Sequence, residues 1–257
     1  MYAEERRTAI AEEARAVGRV RVTELAERFD VAPETIRRDL DALEAEGLLQ
    51  RVHGGAIAIA TEAEEANLTT RQVENAQAKQ AIAAAALAYV PRTAGSIIID
   101  AGSTTGALAT TLVQQQWPAR LSVVTNSVAA LSTLADTEAH DVFMLGGAVR
   151  AITGCVVGPS TLEQLGRVRA DVAFLGTNGI SAGFGLTTPD PTEGAAKRAM
   201  VAAARLRVVL ADRTKFGHDY FISFAQLSDL DVLVTDAKPT GSLASALSAH
   251  EIEVVVA

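Results

Sequence analysis

From about residue 72 onward, short apolar runs alternate with amphipathic stretches of helical length, and this alternation leaves few folds open. Strands are expected at residues 96–100, 121–125, 142–145, 172–175, 208–211, 232–235 and 253–256. Helices are expected at residues 72–89, 104–115, 127–134, 192–204 and 242–249. A strand that is apolar on both faces must be covered on both, which is the condition of a mostly parallel sheet between layers of helices. Aromatic residues make up only 4% of the chain, so such a core is built from Ala, Val, Leu and Ile.

The first 59 residues follow another pattern. Ala9, Ile10, Ala14 and Val17 recur at helical spacing, and Gly18 ends that helix. Residues 20–22 read as a short strand. Thr23 is the expected N-cap of a brief helix running to Phe29. After a turn at residues 30–32, Pro33 suits the first position of a helix that carries Ile36, Leu40 and Leu43 to Glu46, with Gly47 as its left-handed stop. Residues 48–52 and 56–59, joined at Gly54-Gly55, read as a two-stranded wing. Three helices and a hairpin in so short a segment make a winged helix-turn-helix. Residues 60–70, with Glu62, Glu64 and Glu65, lack an apolar period and read as a solvated linker. The expected organisation is a DNA-binding unit over 1–59, a linker over 60–70, and an α/β unit over 71–257 for effector binding and oligomerisation.

The net charge of −8 argues against a nucleic-acid partner until its distribution is considered. Nine of the 23 basic residues lie in the first 57 positions, and all nine are arginine. Acidic residues outnumber them there, so DNA binding has to rest on a local arginine face and to depend strongly on salt. The lone cysteine, Cys155, excludes an intrachain disulfide and fits a reducing cytoplasm. The histidines lack metal-ligand spacing, and neither a metal nor a cofactor is expected. No apolar run approaches a membrane span, and no signal peptide is expected.

The helix beginning at Pro33 presents Glu34, Thr35, Arg37 and Arg38 in its first turns, opposite Ile36 and Leu40. A recognition helix needs this layout, because its N-terminal residues reach base edges and phosphates in the major groove. An arginine fork bonds guanine or phosphate in bidentate fashion. Arg51 and His53 in the wing are candidates for backbone or minor-groove contact. The plainer alternative is an amphipathic helix whose arginines pair with Glu34, Asp39 or Asp41.

In a parallel sheet, ligands sit at the carboxyl ends of the strands. Those ends are polar and glycine-rich here. Asp100-Ala101-Gly102-Ser103-Thr104-Thr105 precedes a helix, and glycine, hydroxyls and a helix N-terminus together suit a phosphate. Thr125-Asn126-Ser127, Gly146-Gly147, Thr177-Asn178-Gly179 and Asp212-Arg213-Thr214-Lys215 follow later strands. Singly, each reads as a turn with a helix cap, but their convergence on one sheet edge points to a ligand. Arg150 is either a further phosphate contact or a surface residue. Glu193 and Lys197, four apart, are either ligand contacts or a plain helical ion pair.

Thr35-Ile36-Arg37-Arg38-Asp39-Leu40 and Arg51-Val52-His53-Gly54-Gly55-Ala56 resemble the N-terminal signature of the DeoR family of bacterial repressors. Ala32 departs from it, standing where the family often has Ser or Thr. The segments at residues 100–105, 125–127, 146–147 and 212–216 look like that family's effector domain, which is similar in fold to ribose-5-phosphate isomerase. The resemblance implies a sugar-phosphate effector held by Ser103, Thr104 and Thr105. It also implies added charge from Lys197 and Lys215, and sugar hydroxyls received by Asp100, Asn126 and Asp212. Residues 174–181 and 185–190, with the opening Met1-Tyr2-Ala3-Glu4-Glu5-Arg6, look especially like actinobacterial fructose-operon repressors. That likeness implies fructose 1-phosphate as effector, double-stranded operator DNA as partner, and a homodimer or homotetramer in the cytoplasm. Two other classes stay open. A sugar-phosphate isomerase would need a carboxylate base, yet residues 176–181 hold no acid, and Glu193 and Asp212 remain. A winged-helix adaptor would bind protein instead of DNA.

Overall fold

The computed structural model of the chain describes residues 3–17, 19–45, 48–52, 54–58, 67–135 and 139–257. The chain divides into two compact units, Met1–Glu64 and Glu65–Ala257. The first consists of α1 (Ala3–Val17), β1 (Arg19–Arg21), α2 (Val22–Phe29), α3 (Pro33–Ala45), β2 (Leu49–Val52) and β3 (Gly55–Ala58). Strand β3 lies between β1 and β2, antiparallel to both. A Cβ on Gly55 would stand 2.0 Å from the Val20 carbonyl oxygen, so only glycine lets the wing close on β1.

Apolar periodicity decides which faces turn inward. Ile36, Leu40 and Leu43 of α3 are buried with Ile10 of α1, Leu25 of α2 and Leu49 of β2. Asp39 lies on the same face of α3, which would be costly if its charge stood alone. Arg6 of α1 answers it with a forked contact, Nε to Oδ2 at 2.6 Å and Nη2 to Oδ1 at 3.3 Å. Thr23 is not the cap of α2: the helix begins one residue before it, with Arg21 as N-cap and no capping side chain. The valine at position 22 is drawn into the helix because its side chain is buried in the core. At the other end Asp30 adopts the left-handed conformation (φ 51°), which a short polar side chain tolerates. Gly18, Gly47, His53, Ile59 and Glu62 to Glu65 lie outside the described residues.

The second unit is built on seven parallel strands: β4 (Gly95–Ile99), β5 (Leu121–Thr125), β6 (Asp141–Met144), β9 (Ala170–Gly176), β12 (Ala204–Leu210), β14 (Val232–Thr235) and β15 (Glu253–Val256). Their order is β15-β14-β12-β9-β4-β5-β6. Successive residues of β4 show why the run reads as continuously apolar. Ile97 and Ile99 enter one core, with α5 (Ala76–Ala86), α6 (Ser103–Gln114) and α7 (Val128–Ala135). Ile98 enters the other, with Met200 of α9 (Pro191–Ala202) and Leu243 of α10 (Gly241–Ala249). The chain builds outward from β4 through β5 to β6, then returns to the other side of β4 at β9. The switch point is therefore between β4 and β9.

Most expected elements occur, displaced by a residue or two at their ends. The helix expected over residues 72–89 is three pieces: α4 (Leu68–Val73), α5, and a short 3-10 turn at Leu87–Tyr89. Asn75, left-handed at φ 52°, separates the first two. The end of the expected linker is thus helical, opened by Asn67, whose Oδ1 accepts from the Thr70 amide at 2.9 Å. Several short elements were not legible in the sequence. They are the hairpin β7 (Ala148–Arg150) and β8 (Cys155–Val157), helix α8 (Pro159–Leu165), and an antiparallel sheet of β10 (Gly179–Ser181), β11 (Gly185–Thr188) and β13 (Ile222–Ala225). Strands of three or four residues are too short to display a period.

Replacing Asp39 by alanine leaves the Arg6 guanidinium buried without its counter-ion, and breaking such a pair costs about 3 kcal/mol or more. The expected outcome is faster hydrogen exchange through α1 and α3 of the full-length variant, with exchange in the α/β unit unchanged. Wild-type exchange in α1 and α3 would contradict it.

Candidate functional site

A cleft opens where the switch point predicts, at the carboxyl ends of β4 and β9. It is lined by Ala101, Gly102, Ser103 and Thr104 after β4, and by Gly176, Thr177 and Asn178 at the end of β9. Glu193 and Lys197 of α9 and Arg71 of α4 also face it, as do Leu210, Ala211 and Lys215 around the end of β12. Ser103 and Thr104 of the first turn of α6 are among these lining residues, and the leading amides of a helix have no partner within it.

Beneath the cleft lies a buried ion pair. Lys197 donates to Asp100 Oδ2 and, at 3.0 Å, to the Gly176 carbonyl, while its ammonium sits 5.5 Å over the Phe224 ring. The Gly176 amide donates to the same Asp100 oxygen at 3.0 Å. Burial pushes the Asp100 carboxyl up, and Lys197 opposes that push. Asp100 is thus a brace between β4 and β9 and not a hydroxyl acceptor facing the cleft.

Glu193 and Lys197 do not form the helical ion pair that their spacing allows. Glu193 Oε1 instead accepts from Arg150 Nη1 at 2.6 Å, from Thr153 Oγ1, and from Cys155 Sγ at 2.8 Å. Burial pushes its carboxyl up, but the charge of Lys197 and these three donors outweigh burial and hold it below the ordinary carboxylate range. Glu193 is therefore ionised at neutral pH. Burial and the neighbouring carboxylate push the Cys155 thiol up, so it serves as a hydrogen-bond donor and not as a nucleophile. Arg150, also 3.3 Å from Asp190, is committed to these carboxylates and does not line the cleft.

The remaining sequence candidates separate by what already occupies their polar atoms. Gly102, Ser103, Thr104, Asn178, Glu193, Lys197 and Lys215 line the cleft. Thr105 is fully buried, its hydroxyl bonded to the Gly102 carbonyl at 3.2 Å. Asn126 accepts from the Ala101 amide at 2.9 Å and donates to the Val156 carbonyl at 3.3 Å, so its carboxamide braces the turn after β4. Thr125 bonds the Ile99 carbonyl at 2.6 Å, and the Ser127 hydroxyl accepts from the Ala130 amide at 3.1 Å; the plain turn-and-cap reading holds for this segment. Gly146 is tied to Gln164 and Thr161 of α8. A Cβ on Gly147 would stand 2.4 Å from the Val157 carbonyl, and one on Gly179 2.1 Å from that of His218. These two glycines serve close packing, away from the cleft. Asp212 accepts from the Thr214 amide at 3.0 Å through Oδ1; its buried Oδ2 has no hydrogen-bond partner, and the residue does not line the cleft.

Two features escaped the sequence reading. Arg71 falls between the linker expected over 60–70 and the helix expected over 72–89, so its approach to the cleft had no local signal. Lys79 is buried, and its ammonium donates to the Arg71 and Glu74 carbonyls. No local pattern in the sequence marked its burial. Lys215 has no carboxylate within ion-pair distance among the described residues. Lys197 and Glu193 are neutralised by Asp100 and Arg150, so the uncompensated charge of the cleft is positive.

The other candidate face is on α3. Glu34, Arg37 and Arg38 are exposed, as are Pro33 and Thr23, while Thr35 is half-buried. The pairing alternative accounts for part of this surface. Arg37 Nη1 lies 2.9 Å from Glu34, Asp39 belongs to Arg6, and Arg51 Nε lies 3.0 Å from Asp41. Arg51 also donates to the Gly55 carbonyl at 3.1 Å, which fixes the wing. Arg38 pairs with no carboxylate among the described residues. An exposed pair such as Arg37 with Glu34 is worth little and yields readily to a phosphate.

Lys197→Met strands the Asp100 carboxylate in the interior, and a loss of about 3 kcal/mol or more is expected. The double substitution Asp100→Asn with Lys197→Met should recover most of it in urea unfolding followed by Trp117 fluorescence. If the double variant is no more stable than the single one, the pair does not hold the switch point.

Sequence comparison accords with both halves. A model of the DeoR-like helix-turn-helix domain matches residues 6–62, and one of the DeoR C terminal sensor domain matches residues 74–237. The chain is 35% identical over 219 residues to the Bacillus subtilis (strain 168) HTH-type transcriptional regulator FruR, itself described as uncharacterized, with 85% of each chain covered. It is 31% identical over 250 residues to the glycerol-3-phosphate regulon repressor of Escherichia coli (strain K12), with 97% of each covered. Among solved structures, ribose 5 phosphate isomerase A from Neisseria gonorrhoeae is 19% identical, matching 54% of this chain and 52% of its own with a TM-score of 0.38. For eIF2B beta from Chaetomium thermophilum the figures are 15%, 68%, 56% and 0.43. With a helix-turn-helix and a sensor domain both matched in one chain, and with relatives above 30% identity along nearly its whole length, the chain belongs to the DeoR family of transcriptional regulators.

Proposed function

We propose that this protein is a repressor of genes for sugar uptake and metabolism, whose grip on operator DNA is set by a sugar phosphate in the β4–β9 cleft. The observation that carries the ligand class is the cleft's excess positive charge. Lys215 and Arg71 stand beside the free amides at the start of α6, an arrangement that suits a phosphate. Thr104 and Asn178, which line the cleft, supply hydrogen bonds for hydroxyls. The E. coli relative is by name a glycerol-3-phosphate regulon repressor, which supports a phosphorylated small molecule as effector. The resemblance of residues 174–181 to fructose-operon repressors is what supports fructose 1-phosphate.

The mechanism is a two-state coupling. A homodimer or homotetramer sets two α3 helices on spaced half-sites of the operator, with Arg38 and Arg37 facing the DNA. The effector favours one of two arrangements, and operator DNA must change effector affinity by the same factor in return. Glu193 adds selectivity. An ionised carboxylate on the cleft wall accepts a hydroxyl but repels a second phosphate, so a monophosphate is preferred to a bisphosphate. The same ionisation disfavours an isomerase, which needs a base poised near neutral pH; residues 176–181 offer no acid in its place.

Fructose 1-phosphate is expected to raise the melting temperature, and fructose is not. Fructose 1,6-bisphosphate should do so only after Glu193→Gln. Lys215→Met should abolish the fructose 1-phosphate shift while leaving operator binding intact. No interconversion of fructose or ribose phosphates is expected, and measurable turnover would restore the enzyme reading. Arg38→Ala should weaken binding to duplex DNA from upstream of the protein's own gene or of neighbouring sugar-uptake genes by about 5- to 100-fold. That variant should keep the full thermal response to the sugar phosphate. If the wild-type protein shifts no such duplex at low salt, the repressor reading fails and a protein partner takes its place.

A further inference from the structure

We propose that the short helix α4 is the element through which a ligand in the cleft acts on the DNA-binding unit, with Asn75 as its hinge. The proposal rests on the sugar-phosphate reading of the cleft. Helix α4 has no buried residue, and Val73 at its end is 77% exposed. On one side Arg71 lines the ligand cleft. On the other, Gln72 lines a second cavity of about 310 Å³, shared with Gln77 and Gln80 of α5, Thr110 of α6 and Thr133 of α7. The helix is thus a thin wall between two cavities. Apolar packing, the usual source of local stability, contributes little to its docking.

Polar tethers hold it instead. The Leu68 amide donates to the Ile152 carbonyl at 3.0 Å. At the other end a single buried ammonium, that of Lys79, takes the Arg71 and Glu74 carbonyls. Beyond these tethers Glu74 is extended and Asn75 left-handed (φ 52°, ψ 34°), so the helical path is broken between α4 and α5 and the Lys79 ammonium is what spans the break. Leu68 follows the end of the first unit at Glu64 by four positions. Whatever fixes α4 therefore fixes where the chain leaves for the DNA-binding unit.

An anion bound between Arg71, Lys215 and the start of α6 adds a clamp from α4 to the sheet edge. A ligand shifts an equilibrium only through contacts that differ between its two states. Arg71 supplies that difference, because it is the cleft's cation carried on the weakly docked element. Asp100 and Lys197, bound into the sheet, cannot.

The test uses the full-length protein with fructose 1-phosphate and, separately, inorganic phosphate. Hydrogen exchange in Leu68–Val73 of the free protein should be about 100-fold faster than in α6, and about tenfold slower with ligand bound. Inserting Gly-Ser between Ala66 and Asn67 should preserve both the ligand's thermal shift and DNA binding. It should also cut the ligand's effect on DNA affinity from about tenfold to less than about twofold. A thermal shift with unchanged exchange in α4, or an insertion that leaves the ligand's effect on DNA intact, overturns the proposal while the cleft's ligand stands. A flat thermal shift with both probes removes the ligand reading, and the proposal with it.

Discussion

The ion pair between Asp100 and Lys197 joins residues 97 positions apart at the one point where the strand order reverses. Asp100 directly follows β4, Gly176 ends β9, and Lys197 comes from α9, so three elements meet on one carboxylate. A buried ion pair is a poor source of net stability, since two desolvations offset its attraction. What it contributes is placement. The first turn of α6, the end of β9 and the middle of α9 hold their positions around the cleft only while that carboxylate is answered. Its cost also explains why the lysine cannot double as an uncommitted phosphate contact.

Charge in the cleft is arranged in pairs that cancel, leaving a remainder that attracts anions. Lys197 is neutralised by Asp100, and Glu193 by Arg150 with help from Thr153 and Cys155. Lys215, which pairs with no carboxylate among the described residues, then sets the sign. The same economy governs the N-terminal unit, where Arg6 takes Asp39 and Arg51 takes Asp41. Arg38 is left exposed on the outer face of α3.

The two cations of the cleft differ in how they are mounted. Lys215 follows β12 on a short 3-10 turn capped by Asp212, part of the rigid sheet edge. Arg71 rides on α4, which is held by hydrogen bonds at its ends and by almost no apolar burial. A ligand bridging them joins a fixed part to a loose one. Binding at a sheet edge can act on the chain outside it by that route, without a rearrangement of the core.

The sequence by itself determined the layers. Alternation of apolar runs with helical periods requires a covered parallel sheet, and the pattern around Ile36, Leu40 and Leu43 requires that α3 turn its arginines outward. Both follow from local rules, because burial of an apolar face depends on period alone. The glycine- and hydroxyl-rich strand ends likewise mark the sheet edge at which the cleft opens. Which of their side chains face the cleft was decided only by tertiary structure. Asn126, Gly147 and Gly179 carry the same local signal as Ser103 and Asn178, yet serve bracing and close packing. The partner of Lys197 is likewise not the glutamate one turn before it but an aspartate on a strand 97 positions away. Hydrogen bonds and ion pairs act over about 3 Å, so they are settled by which segments the sheet order brings together, and strand order is not written in any one segment.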